Sequence, residues 1–364
     1  MFQSAGLLLV LLIMIGSFSC KKAITPTPSP ANAALYFPPV AAPDWQTTTA
    51  ISAGWKQAEL DNLYPWLQSK NTKAFIILKE GKIVAEKYFG TFTADSVWYW
   101  ASAGKTMTAL LVGIAQQEGK LNISLPTKQY LGAGWTSAPA AKENLVTVRN
   151  QLTMTTGLDD GVADSDCTLA VCLKFKADAG TRWSYHNAPY TLLDKVVENV
   201  TGDSYNSFFR TRVRDRIGMN GGWIKTPENN NLLFTNARSM ARFGLLLLNK
   251  GKWDNTPILT DTAYYNSIIN TSQNLNLSYG YLTWLNGKAS SMVPGFQTVF
   301  PRTIIPAAPV DLFAALGKND QKIYVVPSKQ LVVIRMGNAA SDVQFALSGF
   351  DNELWERLKT IMNF

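Results

Sequence analysis

Ser102 and Lys105 stand three residues apart in the stretch Trp100-Ala101-Ser102-Ala103-Gly104-Lys105-Thr106. On a helix, three residues make about one turn, so the serine hydroxyl and the lysine amine would share a face within hydrogen-bond reach. A serine hydroxyl is a weak nucleophile until a base takes its proton. A lysine can be that base only if burial or neighbouring positive charge lowers its pKa. A helix N-terminus at the serine would add backbone N–H groups and positive potential where an oxyanion forms. Other hydrolytic machinery is largely excluded. The chain has one histidine, His186, so two-histidine metal motifs are absent, and no G-x-S-x-G elbow occurs. Gly104-Lys105-Thr106 looks like the end of a phosphate-binding loop, but Tyr99 occupies the position where that loop needs its first glycine.

S-x-x-K is common by chance, so the elements around it matter. Ala74 to Leu78 and Lys82 to Tyr88 are short apolar runs around Glu80-Gly81, which predicts a β-hairpin. Met107, Leu110, Leu111, Ile114 and Ala115 recur with helical period and predict a helix from about Ser102 to Gln117. Helical patterns dominate residues 125–270, including Tyr190 to Val200 before Gly202 and Ser239 to Asn249 before Gly251. Strand signals return at Tyr279 to Leu285, Ile323 to Val326 and Leu331 to Met336, and an amphipathic helix covers about Asn352 to Ile361. The expected fold is α/β: sheet segments from both ends of the domain form one antiparallel sheet flanked by helices, with a helical lobe beside it.

Of the 364 residues, 46% are hydrophobic and 16% charged, which gives ample apolar mass for a core. The net charge of +8 raises the question of nucleic acid. Arg210, Arg212, Arg214 and Arg216 are the densest cations, but their spacing by two spreads them around a helix, and Asp215 interrupts them. A solvated, salt-bridged helix is expected, and no nucleic-acid partner.

Ala5 to Ile15 is an apolar segment too short to span a bilayer, where about 20 apolar residues are needed, and it gives way to small residues and Cys20. Residues 1–19 resemble a lipoprotein signal in which Cys20 is acylated; an ordinary secretory leader with an incidental cysteine is the alternative. Residues 20–44, with Thr25-Pro26-Thr27-Pro28-Ser29-Pro30, suit an extended tether, which leaves 45–364 as the catalytic domain. A lipid-anchored protein of the bacterial envelope, facing the periplasm, is the expected setting. Cys167 and Cys172 can pair as a disulfide in such an oxidising compartment, but two cysteines without clustered histidines cannot complete a metal site.

About 80 residues after Ser102, Gly180-Thr181-Arg182-Trp183-Ser184-Tyr185-His186-Asn187-Ala188-Pro189-Tyr190 carries a second element. Taken alone, Tyr185 would be a half-buried packing tyrosine and Asn187 a helix cap. Together with Ser102-x-x-Lys105, and with Val148-Arg149-Asn150-Gln151-Leu152-Thr153-Met154-Thr155-Thr156-Gly157-Leu158 between them, Tyr185-x-Asn187 resembles the serine β-lactamase-like, penicillin-recognising hydrolases. The match is to the branch of class C β-lactamases, esterases and 6-aminohexanoate-dimer hydrolases.

That resemblance implies Ser102 as nucleophile, Lys105 as base and Tyr185 as proton relay, with Asn187 orienting Lys105 or binding a substrate amide. It implies no cofactor. The family's third element, a basic residue two positions before a glycine on a strand, falls on Ala315-Leu316-Gly317-Lys318. Ala315 replaces the basic residue, and the N–H groups of Ser102 and Lys318 would hold the oxyanion. A small ester or amide is the expected substrate, with little or no β-lactamase activity. A binding or sensing lipoprotein using the same pocket without turnover is the alternative. His186 is expected to be structural, and Met154 core filling.

Overall fold

The computed structural model describes residues 1–2, 34–226, 230–342 and 346–364, and the elements that position the site all belong to the unit Leu35–Phe364. The leader, Cys20 and most of the tether lie outside the described residues. A six-stranded antiparallel sheet runs in the order Lys82–Tyr88, Thr72–Lys79, Leu331–Gly337, Gln321–Val326, Phe313–Gly317, Trp284–Leu285. Strands from the two ends of the domain are therefore neighbours: Ile77 pairs with Val333, and Ile323 with both Ile334 and Ala315.

Every residue of Gln321–Val326 and Leu331–Gly337 is buried, the pattern of strands covered on both faces. One face is covered by helices Gln57–Ser69 and Gly349–Met362, which meet through the stacked rings of Trp66 and Phe350, 5.4 Å apart. Helix Ala237–Leu248 covers the other. It approaches so closely that a Cβ on Gly244 would fall 2.5 Å from Val332 Cγ1.

The expected hairpin is present, turning through Glu80 and Gly81, which both have positive φ. Helix Gly104–Gln117 is buried on every side from Gly104 to Ala115, so it runs through the core between sheet and lobe. Gly113 is required there, because a Cβ would lie 2.4 Å from Tyr264 Cε1. The arginine segment forms ion pairs as expected: Arg212 binds Glu118 through two nitrogens, and Arg210 and Arg214 reach Asp215.

Several expectations need correction. Only Trp284–Leu285 of the 279–285 run is a strand, because Leu282 adopts φ +51° and its backbone turns inward to bond Leu152 and Thr106. The helical lobe is interrupted. Helix Ala237–Leu248, inside residues 125–270, packs on the main sheet, and Trp98–Tyr99, Asn231–Thr235 and Gly222–Lys225 form a second sheet of three strands. The domain also begins earlier than residue 45: Tyr36 N–H donates to Glu80, Phe37 packs edge-on against Trp253, and Arg238 and Arg242 bond the carbonyls of Pro43 and Pro39.

A buried ionic network lies behind the third-element strand. Lys322, wholly buried, reaches Asp351 at 2.9 Å and Asp320 at 3.2 Å, and Tyr324 donates to Asp351 at 2.6 Å. The Arg335 guanidinium donates to the carbonyls of Asn319, Asp320, Lys70 and Asn338. These bonds fix Asn319 and Asp320 in the left-handed region, with φ +60° and +58°, a conformation costly for residues other than glycine.

Candidate active site

Ser102 sits in a single 3-10 turn, Ala101–Ala103, that leads into helix Gly104–Gln117. Ala101 has φ +47°, a strained value for alanine at the residue just before the serine. The turn is anchored by Trp100, whose N–H bonds Leu233 O at 2.8 Å and whose indole bonds Thr235 Oγ1 at 2.8 Å. Gly317 closes against it from the sheet: a Cβ there would lie 2.3 Å from Trp100 O and 2.9 Å from Ala103 N. Any larger residue would push the strand end away from the serine turn.

Lys105 is 3% exposed and donates to Ser102 Oγ at 3.1 Å and to Asn187 Oδ1 at 2.8 Å. Its amine also lies 4.1 Å from the Tyr190 ring centroid and 5.1 Å from that of Tyr185. Burial brings its pKa down to about 7, opposed in part by the negative charge of Asp166. The Lys105 amine can therefore shed a proton far more readily than an exposed lysine. Burial pushes the Tyr185 phenol well up, opposed in part by the nearby Ser102 hydroxyl, so it rests as a proton donor. Its ring stacks on Trp284 at 5.8 Å and meets Tyr279 edge-on at 6.2 Å, which fixes the hydroxyl's direction.

Asn187 opens helix Asn187–Thr191, but the capping position is His186, so the Asn187 amide is free to accept from Lys105 instead. His186 is buried, and its ring nitrogens find no hydrogen-bond partner among the described residues; burial brings its pKa down to about 4. It stays neutral and takes no part in the Ser102 cluster. Met154 is core, 3% exposed.

Of the third-element residues, Lys318 is exposed and lines the cleft beside Ser102. Ala315 instead lies within the sheet, 3% exposed and paired with Ile323. Its methyl brings neither charge nor hydrogen-bond donor, and it is not among the residues lining the cleft. The cleft encloses about 320 Å³, and its walls include Tyr99, Asp166, Asn230 and Asn231, none of which belongs to a motif. Asp166 precedes Cys167 in a loop closed by a Cys167–Cys172 disulfide. Non-reducing peptide mapping of exported protein is expected to recover the Cys167 and Cys172 peptides cross-linked, and two free thiols would show that packing alone holds the loop. Among the described residues no group of acidic, histidine and cysteine side chains could hold a metal, and no helix is long and apolar enough to cross a membrane.

A serine hydroxyl 3.1 Å from a buried lysine amine, beside an antiparallel sheet covered on both faces, is an arrangement that can support nucleophilic catalysis. The sequence model of the Beta-lactamase family matches residues 70–354, and the chain belongs to that family, in the serine hydrolase and penicillin-binding-protein-like superfamily. Among curated relatives, the teichoic acid D-alanine hydrolase of Staphylococcus aureus is 26% identical over 173 residues, 44% of this chain and 43% of the relative. The β-lactamase of Escherichia coli is 28% identical over 142 residues, 37% of each chain. The chain thus spans about two-fifths of the length of the curated relatives it matches. In fold it is similar to a penicillin-binding protein homologue from Caulobacter crescentus, with TM-score 0.65, 13% identity, and coverage of 86% of this chain and 98% of that one.

Proposed function

We propose that this protein hydrolyses a small ester or amide through an acyl-enzyme on Ser102. The supporting observation is the position of Lys105: an amine whose pKa burial brings down to about 7, 3.1 Å from Ser102 Oγ and held by Asn187. A protein that only binds ligands has no need of a buried lysine tuned to that range. As Ser102 Oγ attacks the carbonyl carbon, its proton passes to Lys105. The oxyanion is held by the N–H groups of Ser102 and Lys318. Tyr185 protonates the leaving group and regains its proton from the Lys105 ammonium. Water then attacks the acyl carbon, its proton passing to the Tyr185–Lys105 pair, and the acid leaves as Ser102 is reprotonated. The same chain is proposed to be anchored at Cys20 in the cell envelope.

Substrate class follows from Ala315. Relatives that process β-lactams place a cationic or hydrogen-bonding side chain at this position for the substrate carboxylate. Losing a charge-assisted hydrogen bond costs about 1.5–3 kcal/mol, or roughly ten- to a hundredfold in affinity. A short-chain p-nitrophenyl ester is therefore expected to be turned over faster than a chromogenic cephalosporin. Its kcat/KM should rise with pH through about 7, because only the neutral Lys105 accepts the serine proton. A cephalosporin hydrolysed faster than the ester would overturn this assignment, and loss of that activity in Lys318→Ala would identify Lys318 as the carboxylate's partner.

A further inference from the structure

Asp166 lines the same cleft as Ser102 and Lys105, on a loop that no motif marks. Three contacts hold the loop in place. Asp166 N–H donates to Asp164 Oδ1 at 3.0 Å, Ala188 N–H donates to Ser165 O at 3.2 Å, and the next residue, Cys167, is covalently joined to Cys172. The second contact ties the loop directly to the helix that carries Asn187. The carboxylate is therefore presented by a braced wall.

The Asp166 Oδ1 atom is buried and finds no hydrogen-bond donor among the described residues. A buried carboxylate oxygen without a donor is costly unless something of opposite charge comes to it. The charge of Lys105 acts on Asp166, but two of its three donors go to Ser102 and Asn187 and it makes no hydrogen bond to the buried Asp166 oxygen. The other acids nearby already have cationic partners: Asp160 pairs with Arg182 at 2.6 Å, Asp159 with Lys176 at 2.7 Å, and Asp194 faces Lys225 at 3.9 Å. Apart from Lys105 and the exposed Lys318, the rest of the cleft wall is uncharged, with amides from Asn187, Asn230 and Asn231 and phenols from Tyr99 and Tyr190. Among the described residues, Asp166 is the one acidic group lining the cleft.

We infer that Asp166 is a specificity-determining residue that binds a free ammonium on the acyl part of the substrate, so that the preferred substrates are aminoacyl esters or amides. This rests on the hydrolase assignment above and deepens it by naming the substrate class. In an aminoacyl group the ammonium lies close to the carbonyl that Ser102 attacks, so one cleft of this size can hold both. The ammonium supplies charge-assisted donors to a carboxylate that lacks one, and N-acylation of the substrate removes them.

The test compares alanine p-nitroanilide with N-acetylalanine p-nitroanilide, in both enantiomers, at pH 7, where the free amine is protonated. The ratio of their kcat/KM values is the quantity read, so changes common to both substrates cancel. Wild type is expected to favour the free amine by roughly ten- to a hundredfold, mainly through KM, as for a charge-assisted hydrogen bond. Asp166→Asn should bring the ratio close to one, and Asp166→Glu should keep a preference for the amine. A wild-type ratio near one, or a preference that survives Asp166→Asn, would overturn the inference.

A second measurement does not depend on turnover. NMR titration of the Ser102→Ala protein with alaninamide and N-acetylalaninamide should show the free amine binding at least ~10-fold more tightly, and the added Asp166→Asn change should remove the difference. Equal binding there overturns the role of Asp166. Failure of all hydrolysis, with the binding difference intact, would instead count against the hydrolase assignment alone.

Discussion

Ser102→Ala is expected to lose labelling by a fluorophosphonate probe completely and to reduce ester turnover by roughly a thousandfold or more, the scale of losing a covalent nucleophile. Intact mass of wild type should show a single adduct, because the probe reacts with a serine only where a base and an oxyanion site meet its oxygen. Such a place is proposed at Ser102, where Lys105 Nζ lies at 3.1 Å, the Tyr185 ring is held beside Lys105, and the Gly317 strand end closes against the turn. Alanine at 102 leaves that turn intact, since Trp100 anchors it through its own backbone and indole. The variant should therefore melt close to wild type. Labelling that survives the substitution would end the assignment of Ser102.

The second large effect is expected at Lys105. Lys105→Met should lose at least ~100-fold in turnover, the scale of general-base assistance, while its stability stays level or rises. The lysine pKa is near 10.5 when exposed and about 7 in the folded protein, so between those values the unfolded chain binds the extra proton. Stability contributed at this position therefore increases as pH rises from about 7 to 10.5, and at neutral pH the buried amine is a net cost. Methionine fills similar volume without that cost, at the loss of the bonds to Ser102 and Asn187. Thermal melts at pH 7 and pH 10 check the sign: the gain from methionine should be larger at pH 7. Near-normal turnover would mean that another group takes the serine proton.

Ser102 and Lys105 are legible in the sequence because their relation is local, one turn apart, and the backbone from Ala101 to Lys105 keeps them on one face. Tyr185 and Asn187 become legible only through resemblance, since nothing local says that residues 80 and 82 positions away will meet Lys105. Asp166, Asn230 and Asn231 carry no signal, because their place in the cleft is set by a loop next to a disulfide and by the start of the central strand of the second sheet. The strand predicted over 279–285 fails for a related reason. Its apolar alternation is real, but the Leu282 backbone is drawn into the core by bonds to Leu152 and Thr106, and tertiary contacts override the local pattern. The hairpin, the buried core helix and the returning strands are local patterns, and they form where their periodicity places them.

The ionic network behind the third-element strand also bears on how a distant helix can act on the cleft. Asp351 lies on the helix Gly349–Met362 and grips Lys322 and Tyr324, and Lys322 in turn holds Asp320, two residues beyond Lys318. The wall that presents Lys318 is therefore tied in place by a helix that follows it in the chain and carries no residue of the cleft. Disturbing that helix is expected to loosen the backbone proposed to hold the oxyanion, while the bonds of Lys105 to Ser102 and Asn187 lie outside its reach.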